Sequence, residues 1–333
     1  MKLNFYRRKF LNRFSGLLLA FAVVVGQCAS PFDKTPPPRP QLFTRDGPIK
    51  SEGALKEEIQ GTIDVFLTDM PLTDAELERA QQTRGVRLLH IATAVTAVVP
   101  CYNLGGLDKP LNFSSDTLAA IFLGKITKWN DPAIQALNPS VHLPADDIII
   151  IGHAGEDGSA YAWTDFLSKT NAEWQHSVGR VRSIVALPAL VRAPTSKTLA
   201  ELVKHTPNSI TYTEFWATKG LNLQIGRVKN RSGNCIGPSS ASIAAAALTA
   251  SPAILDDFRA SITDTSGPTD YPIASFKWIV IPDKFRDSAK QSKVLSLLKL
   301  ILTEGQYWPD SMRLGRLPRS IAEREIHLIE SLQ

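Results

Sequence analysis

Cysteine is scarce in this sequence, and the enzyme motifs that have a clear mechanism are missing. The three cysteines, Cys28, Cys101 and Cys235, lack the close spacing of a metal or redox pair. There is no Gly-x-Ser-x-Gly elbow, no zinc-protease helix motif and no Gly-x-x-x-x-Gly-Lys phosphate loop. The later two cysteines can remain buried thiols or pair in an oxidising compartment, and both alternatives stay open. These absences point away from an enzyme and predict no metal and no other cofactor.

Acidic residues are missing from the first 28 positions, which hold five basic residues and then the apolar run 17–25. That run is too short to span a bilayer as a mature helix, so the pattern predicts a secretory signal. The net charge of +5 comes from those basic residues, because the rest of the chain has equal numbers of basic and acidic residues. A nucleic-acid groove needs a basic surplus in the folded part, so we expect no nucleic-acid partner. The five basic residues are Lys2, Arg7, Arg8, Lys9 and Arg13.

Positions 25–28 read Val-Gly-Gln-Cys and are similar to a bacterial lipoprotein box, although Gln27 stands where a small residue is usual. Lipidation of Cys28, an ordinary cleaved signal and an uncleaved anchor all stay open. Prolines are frequent in 29–50, which we interpret as an extended tether after the signal segment 1–28. We expect the chain in the periplasm or on the outer face of a membrane, with only its N-terminal segment touching the membrane.

The roughly 290 residues after the tether are enough for two lobes and alternate short apolar strands with helical patterns. This alternation predicts an α/β architecture with largely parallel sheets. Thr73 and Glu76 form a capping box at the start of one helix, and Ser114 caps another that ends at Gly124. A strand buried on both faces over 147–151, a loop over 152–158 and a helix over 159–167 form the junction where a ligand is expected. Further predicted elements are strands at 63–67, 210–213 and 273–281, a helix capped by Ser239 that runs through Ala250, and an amphipathic segment at 294–302.

Residues 120–134 read Ala-Ile-Phe-Leu-Gly-Lys-Ile-Thr-Lys-Trp-Asn-Asp-Pro-Ala-Ile, and supporting stretches lie at 97–104, 202–210, 241–247 and 271–276. Together they resemble the periplasmic phosphate-binding proteins of high-affinity phosphate ABC importers, over about residues 51–317. The resemblance implies a two-lobed binding-protein fold with two crossover strands, a cleft that closes over phosphate or a related oxyanion, and ABC-transporter membrane subunits as partners. We expect the first lobe to comprise 51–97 and 271–333, and the second lobe 98–270.

The resemblance also implies which residues surround the anion. Ser51 falls on the family's Ser-Ser-Gly-Gly turn, whose hydroxyl contacts the ligand. Thr68 and Asp69 fall on its Ser-Asp-Ala-Pro-Leu segment, where the aspartate accepts a hydrogen bond from protonated phosphate and selects against sulfate. Gly158 and Ser159 match the loop of the second lobe. The alternative for Asp69 is an ordinary cap beyond a strand.

Two positions of the second-lobe loop depart from the family pattern. His153 stands where the family has a phosphate-binding arginine, and Asp157 stands where it has a serine donor, although Asp157 is also a candidate helix cap. No Arg or Lys lies between Ile148 and Leu167, so the loop loses a positive charge and gains a negative one. Losing one charge-assisted hydrogen bond costs about 1.5–3 kcal/mol, which is roughly tenfold to a hundredfold in affinity. We therefore expect a cleft of neutral to negative potential and weakened phosphate binding.

Other interpretations remain open. The family opens with a strand, a loop and a helix before the turn at Ser51, and no counterpart is recognisable here, so residues 41–44 or a partner chain would have to complete the first-lobe sheet. A second function is a membrane-tethered interaction or scaffold module with a degenerate ligand site. A third function is enzymatic and takes four residues as a metal site or an acid/base set. The four are Asp69, His153, Glu156 and Asp157. The simpler interpretation is that His153 is a solvated or backbone-bonded side chain.

Overall fold

The protein is described by a computed structural model over residues 64–184, 191–254, 257–307 and 309–332. Strands and helices alternate along most of this length. The strands are β1 (Phe66–Thr68), β2 (Leu88–Asn103), β3 (Asn112–Phe113), β4 (Ile149–His153), β5 (Val191–Ala193), β6 (Ser209–Glu214), β7 (Gln224–Ile225), β8 (Arg227–Lys229), β9 (Cys235–Ile236) and β10 (Ala274–Pro282). The helices are α1 (Asp74–Arg84), α2 (Ser115–Phe122), α3 (Pro132–Leu137), α4 (Gly158–Thr170), α5 (Ala172–Ser177), α6 (Ser196–His205), α7 (Ser240–Ala250), α8 (Ser288–Leu302) and α9 (Arg319–Glu330), with 3-10 turns at Phe215–Thr218, Ser251–Ala253, Glu304–Tyr307 and Pro309–Met312.

The long strand β2 organises the main sheet, whose order is β1-β10-β2-β6-β4-β5, with β7 also paired to β2. The part of β2 up to Ala97 pairs with β10, and the part from Val98 pairs with β6. The chain returns beside the same point, where Val98 N donates to Ile273 O at 2.9 Å. We call the described residues of 51–97 and 271–333 the first lobe and those of 98–270 the second lobe, and these boundaries stay a prediction.

The expectation of largely parallel sheets is wrong. In the described part of the main sheet, β2 runs antiparallel to β10, β6 and β7, and β1 runs antiparallel to β10. The strand β4 is parallel to β6 and β5. Alternation of strands and helices governs local connections, whereas the neighbours of β2 come from distant parts of the chain. The architecture is α/β, but the sheet is mixed.

Reciprocal side-chain caps begin the helices that the sequence predicts best. Thr73 Oγ1 accepts from Glu76 N at 3.2 Å, and Glu76 Oε2 accepts from Thr73 N at 2.6 Å. Ser114 and Ser239 take part in equivalent boxes ahead of α2 and α7. These caps satisfy N–H groups that a helix start leaves without partners. The three predicted helix starts are confirmed.

Strand bounds are predicted less well than helix starts. The strand β1 is shorter than predicted, and β4 begins at Ile149 rather than at position 147. Asp147 is exposed and the residues 148–150 are half-buried, so the expectation of a strand buried on both faces is wrong for its first half. A run of isoleucines has no alternation that would mark its ends. The shift makes His153 the last residue of the strand instead of a loop residue.

Aromatic rings fill the core next to the central strands. The apolar runs around Trp129, Trp163 and Trp278 predict buried rings, and all three are at most 1% exposed. Trp163 stacks on Tyr212 with the ring centroids 5.2 Å apart. Trp308, the fourth tryptophan with this prediction, lies outside the described residues.

Both cysteines of the described ranges are free thiols, so the disulfide alternative is not realised. Cys101 is buried and Cys235 is half-buried. Burial raises the pKa of the Cys101 thiol to about 12, which keeps it protonated and unreactive.

Among the described helices, none has the length and apolar character needed to cross a membrane.

A buried carboxyl group connects α9 to β2. Glu325 is 0% exposed, and its Oε1 accepts from Ala92 N at 2.6 Å. Its Oε2 has no hydrogen-bond partner among the described residues. Burial raises the pKa of Glu325 well above its usual range. The group is therefore neutral at pH values where an exposed glutamate is ionised.

We predict that Glu325→Gln becomes more stable relative to the wild type as the pH rises. The folded-state pKa lies above the ordinary value of 4.5, so the stability that protonated Glu325 contributes is complete below that value and is lost as the pH rises through the folded-state pKa. Urea unfolding from about pH 5 to pH 8 measures this. Glu323→Gln, on the exposed side of the same helix, is the control. Parallel pH curves for all three proteins would contradict the prediction.

Candidate functional site

Four of the sequence-predicted site residues meet where β1 and β4 end. Asp69 follows β1 directly, and His153 is the last residue of β4. The helix α4 begins at Gly158, with Ser159 next. The two loops that the family resemblance singles out are therefore neighbours across the interface of the lobes.

Thr68 shapes the turn that carries Asp69. Its Oγ1 donates to Met70 O at 2.7 Å and accepts from Met70 N at 3.2 Å, and the residue is 3% exposed. The hydroxyl closes a tight turn and so orients the aspartate. Two other predicted positions, the anion contact Ser51 and the lipidation residue Cys28, lie outside the described residues and stay predictions.

Asp69 and Gly158 are in direct contact. A Cβ atom placed on Gly158 would lie 2.3 Å from Asp69 Cβ and 2.9 Å from the Asp69 carbonyl carbon. Only a residue without a side chain allows the helix start to approach the loop so closely. The lobes are thus closed at this point, and a ligand cannot lie between the two residues unless they separate.

His153, Asp157 and Ser159 form a cluster at the start of α4. Asp157 Oδ2 lies 2.8 Å from His153 Nε2, and Ser159 Oγ lies 3.2 Å from the same nitrogen. Ser159 Oγ also donates to Asp157. Burial opposes the ionisation of Asp157, but the hydrogen bonds from His153 and Ser159 outweigh burial and lower its pKa. His153 and Asp157, the two residues that depart from the family pattern, therefore contact each other.

Two expectations for this loop are wrong. His153 is not a solvated side chain, because it is 2% exposed and its ring stacks on Tyr212. Asp157 occupies the N-cap position of α4, but its side chain makes no capping hydrogen bond. The carboxylate turns to His153 and Ser159 instead. His153 is buried because β4 extends to residue 153 and includes it in the sheet.

The cluster does not have the geometry of a catalytic relay. In a relay the acid and the nucleophile bond opposite nitrogens of the imidazole, whereas Asp157 and Ser159 both contact Nε2 of His153. Glu156, the other member of the predicted set, is exposed. Within the described ranges, no group of three or more His, Cys, Asp and Glu side chains is arranged to hold a metal ion.

Lys277 is a functional candidate that the sequence prediction missed. Its Nζ donates to Asp69 Oδ1 at 2.5 Å and to Glu214 Oε1 at 2.8 Å. Asp69 belongs to the first lobe, and Glu214 is the last residue of β6 in the second lobe. Lys277 is the one charged residue of β10. A lone lysine inside a strongly apolar strand is the signal that could have identified it.

Burial sets the charges of this ion cluster. Burial and the neighbouring Asp69 raise the pKa of Glu214 to about 7, against the attraction of Lys277. Burial also disfavours the charged form of Lys277, but Asp69 and Glu214 outweigh burial and raise its pKa. Asp157 also acts to raise the pKa of Glu214, and two carboxyl groups, Asp69 and Glu214, contact the ammonium group. The neutral to negative potential of the cleft stays a prediction.

Two arginines of the second lobe bond acidic residues of the first lobe. Arg182 donates to both carboxylate oxygens of Glu76, at 2.7 and 2.8 Å. Arg259 donates to Asp74 Oδ1 at 2.7 Å and to Leu72 O at 3.0 Å. The sequence prediction missed both pairs, because the partners are 106 and 185 positions apart. Hydrogen bonds between the two lobes therefore stabilise the closed arrangement at several points.

We predict that Gly158→Ala destabilises the protein by about 1–3 kcal/mol, because the added methyl group overlaps the Asp69 loop. Alanine is the better helix former, so the helix alone would respond in the opposite direction. Urea unfolding measures the change. Gly105→Ala is the control, because nothing lies within 4 Å of a Cβ atom at Gly105. An equal or higher free energy of unfolding for Gly158→Ala would contradict the close contact.

Comparison with known proteins leads to the family that the sequence motifs resemble. A family model described as a PBP superfamily domain matches residues 21–291. The chain is 31% identical over 277 residues to the phosphate-binding protein PstS of Xylella fastidiosa, an alignment that covers 83% of this chain and 74% of that protein. It is 31% identical over 261 residues to PstS of Haemophilus influenzae, covering 78% of this chain and 75% of that protein.

Solved structures share the fold. A high affinity periplasmic phosphate-binding protein (PfluDING), solved with bound phosphate, has a TM-score of 0.61 and 18% sequence identity, over 78% of this chain and 77% of that chain. This likeness supports the two-lobed α/β fold expected from the sequence. The family model and the sequence identity to PstS proteins show the family as well as the fold. The chain therefore belongs to the PBP superfamily and, within it, to the family of phosphate-binding proteins.

Proposed function

We propose that this chain is the exported substrate-binding protein of a phosphate-type ABC importer and that it captures a small oxyanion between its lobes. The ligand that the family suggests is phosphate, which then passes to the membrane subunits of the importer. The chain acts by binding and release, without catalysis. It works in the periplasm or at the outer face of a membrane, which it contacts only through its N-terminal segment. The proposed ligand contacts are Ser51, Thr68, Asp69, Gly158 and Ser159.

The observation that carries this proposal is the meeting of Asp69 with the start of α4. A carboxylate accepts a hydrogen bond from a protonated oxyanion, and a helix N-terminus attracts an anion. These are complementary halves of a phosphate site. They come from different lobes, so a ligand held by both would close the cleft as in other two-lobed binding proteins.

The closed arrangement also explains why we expect moderate affinity. An entering oxyanion has to separate Asp69 from Gly158 and to compete with Asp69 for the ammonium of Lys277. Asp157 adds a negative charge at the start of α4. Each of these effects opposes binding of an anion. The affinity should therefore be lower than that of a site with an arginine in the second-lobe loop.

A scaffold or interaction module with a degenerate site is the second candidate. It is favoured by the direct bonds between the lobes, which oppose the separation that an entering ligand needs. Arg182 with Glu76 and Lys277 with Asp69 are the main examples. A protein of this kind would keep the fold and the closed shape but bind no small oxyanion.

Isothermal titration of the purified full chain with phosphate, at about pH 5.5 and pH 7.5, tests the proposal. We predict saturable binding with a Kd in the micromolar to millimolar range, which is about −8 to −4 kcal/mol. Sulfate should bind less, because it has no proton to donate to Asp69. Asp69→Ala should weaken phosphate binding about tenfold or more, because it removes a charge-assisted hydrogen bond.

The matched control is Asp108→Ala, which removes an exposed aspartate outside the cleft. Its phosphate affinity should equal that of the wild type. A wild-type protein that unfolds cooperatively but gives no saturable signal with phosphate at either pH would overturn the proposal and favour the scaffold. Binding of citrate without phosphate would instead point to a changed ligand.

A further inference from the structure

Lys277 occupies an unusual place for a lysine. It stands in β10 among apolar residues, and its side chain is only 19% exposed. A buried ammonium group is costly unless charged partners compensate the loss of water. Asp69 and Glu214 are those partners, at 2.5 and 2.8 Å from Nζ. The lysine thus remains a cation at the junction of the lobes.

The ammonium group has hydrogen-bonding capacity beyond these two contacts. A lysine donates up to three hydrogen bonds, and Asp69 and Glu214 take two of them. The indole ring of Trp216 lies 5.8 Å from Nζ, so an aromatic group borders the cation as well. Electrostatic attraction is strong where water is largely excluded. An anion that reached Asp69 would therefore lie next to a strong donor.

Other basic side chains near the cleft have partners of their own. His153 Nε2 contacts Asp157, and the guanidinium group of Arg182 bonds Glu76. Lys277 is instead bonded directly to Asp69, the residue that we propose to contact the ligand. We propose that Lys277 supplies the positive charge that binds the oxyanion, in place of the loop arginine that His153 replaces. This inference rests on the proposed function and names a residue that the family pattern does not.

Glu214 is the partner that can give way to the anion. The charged groups that face it are Lys277, Asp69 and Asp157. Because burial and Asp69 raise its pKa to about 7, Glu214 is protonated below neutral pH and then holds Lys277 less strongly. An oxyanion can take over that N–H group at lower electrostatic cost. Binding should therefore be tighter below pH 7 than above it.

The decisive experiment is isothermal titration with inorganic phosphate at about pH 6 and pH 8 of the wild type and three variants. Lys277→Met, which keeps the apolar stem, should weaken binding about tenfold to a hundredfold. Lys277→Arg keeps the charge and should stay within about tenfold of the wild type. Lys290→Met removes another part-buried lysine, on helix α8, that pairs with Asp64 and does not contact Asp69, and it should leave the phosphate affinity unchanged.

The outcomes separate the two proposals. Lys277→Met with wild-type affinity would overturn the role of Lys277 and leave the proposed function intact. A wild type that binds no phosphate at either pH would overturn both. If Lys277→Met does not fold, the double variant Lys277→Gln with Glu214→Gln replaces it, because it removes both charges and keeps a hydrogen bond. Wild-type affinity of that variant at pH 6, where Glu214→Gln alone should bind phosphate about as well as the wild type, would equally overturn the inference.

Glu214→Gln tests whether Glu214 competes with the anion for Lys277. It should bind phosphate several-fold more tightly than the wild type at pH 8 and about equally at pH 6, because it mimics protonated Glu214. Phosphate itself changes its ionisation over this range in the same way for both proteins, so the difference between them reports Glu214. Weaker binding by Glu214→Gln at pH 8 would show that Glu214 does not compete with the anion.

Discussion

The ammonium group of Lys277 holds one carboxyl group from each lobe, and the other contacts of the cleft are arranged around it. Asp69 reaches it from the turn after β1, and Glu214 reaches it from the end of β6. The loops that carry them cannot move apart without breaking a hydrogen bond of a largely buried charge. The contact between Asp69 and Gly158 belongs to the same closure. A ligand can therefore lie between Asp69 and Gly158 only when these contacts are broken.

A buried ion cluster of this kind is sensitive to the loss of any member. Removing one partner of a buried pair leaves an unpaired charge and costs about 3–5 kcal/mol, whereas the intact pair adds little net stability. Lys277 and its two carboxyl groups therefore act as a unit. The same argument applies to His153 and Asp157, whose close contact compensates their burial. In both clusters the charged and polar groups have partners within the protein.

The fold and the chemistry of the site have changed to different extents. The strand ends and the start of α4 bring together the backbone positions that the family resemblance identifies, and these positions are set by the sheet. The side chains at positions 153 and 157 differ from the family pattern, and a lysine of another strand now provides the cation. A shared fold therefore supports the class of protein, while ligand and affinity depend on a few side chains.

Features that depend on neighbouring residues could be predicted from the sequence. The helix start at Thr73 follows from hydrogen bonds between residues three positions apart, and a local motif identified the loop of Asp69. The partners of Lys277 are 63 and 208 positions away, and no local pattern encodes which distant side chains meet. Strand direction in the sheet and the burial of His153 also depend on distant parts of the chain, so the sequence did not predict them. That the cleft contains its own cation and that the lobes bond each other emerged from the folded chain, because both arise from the packing of remote segments.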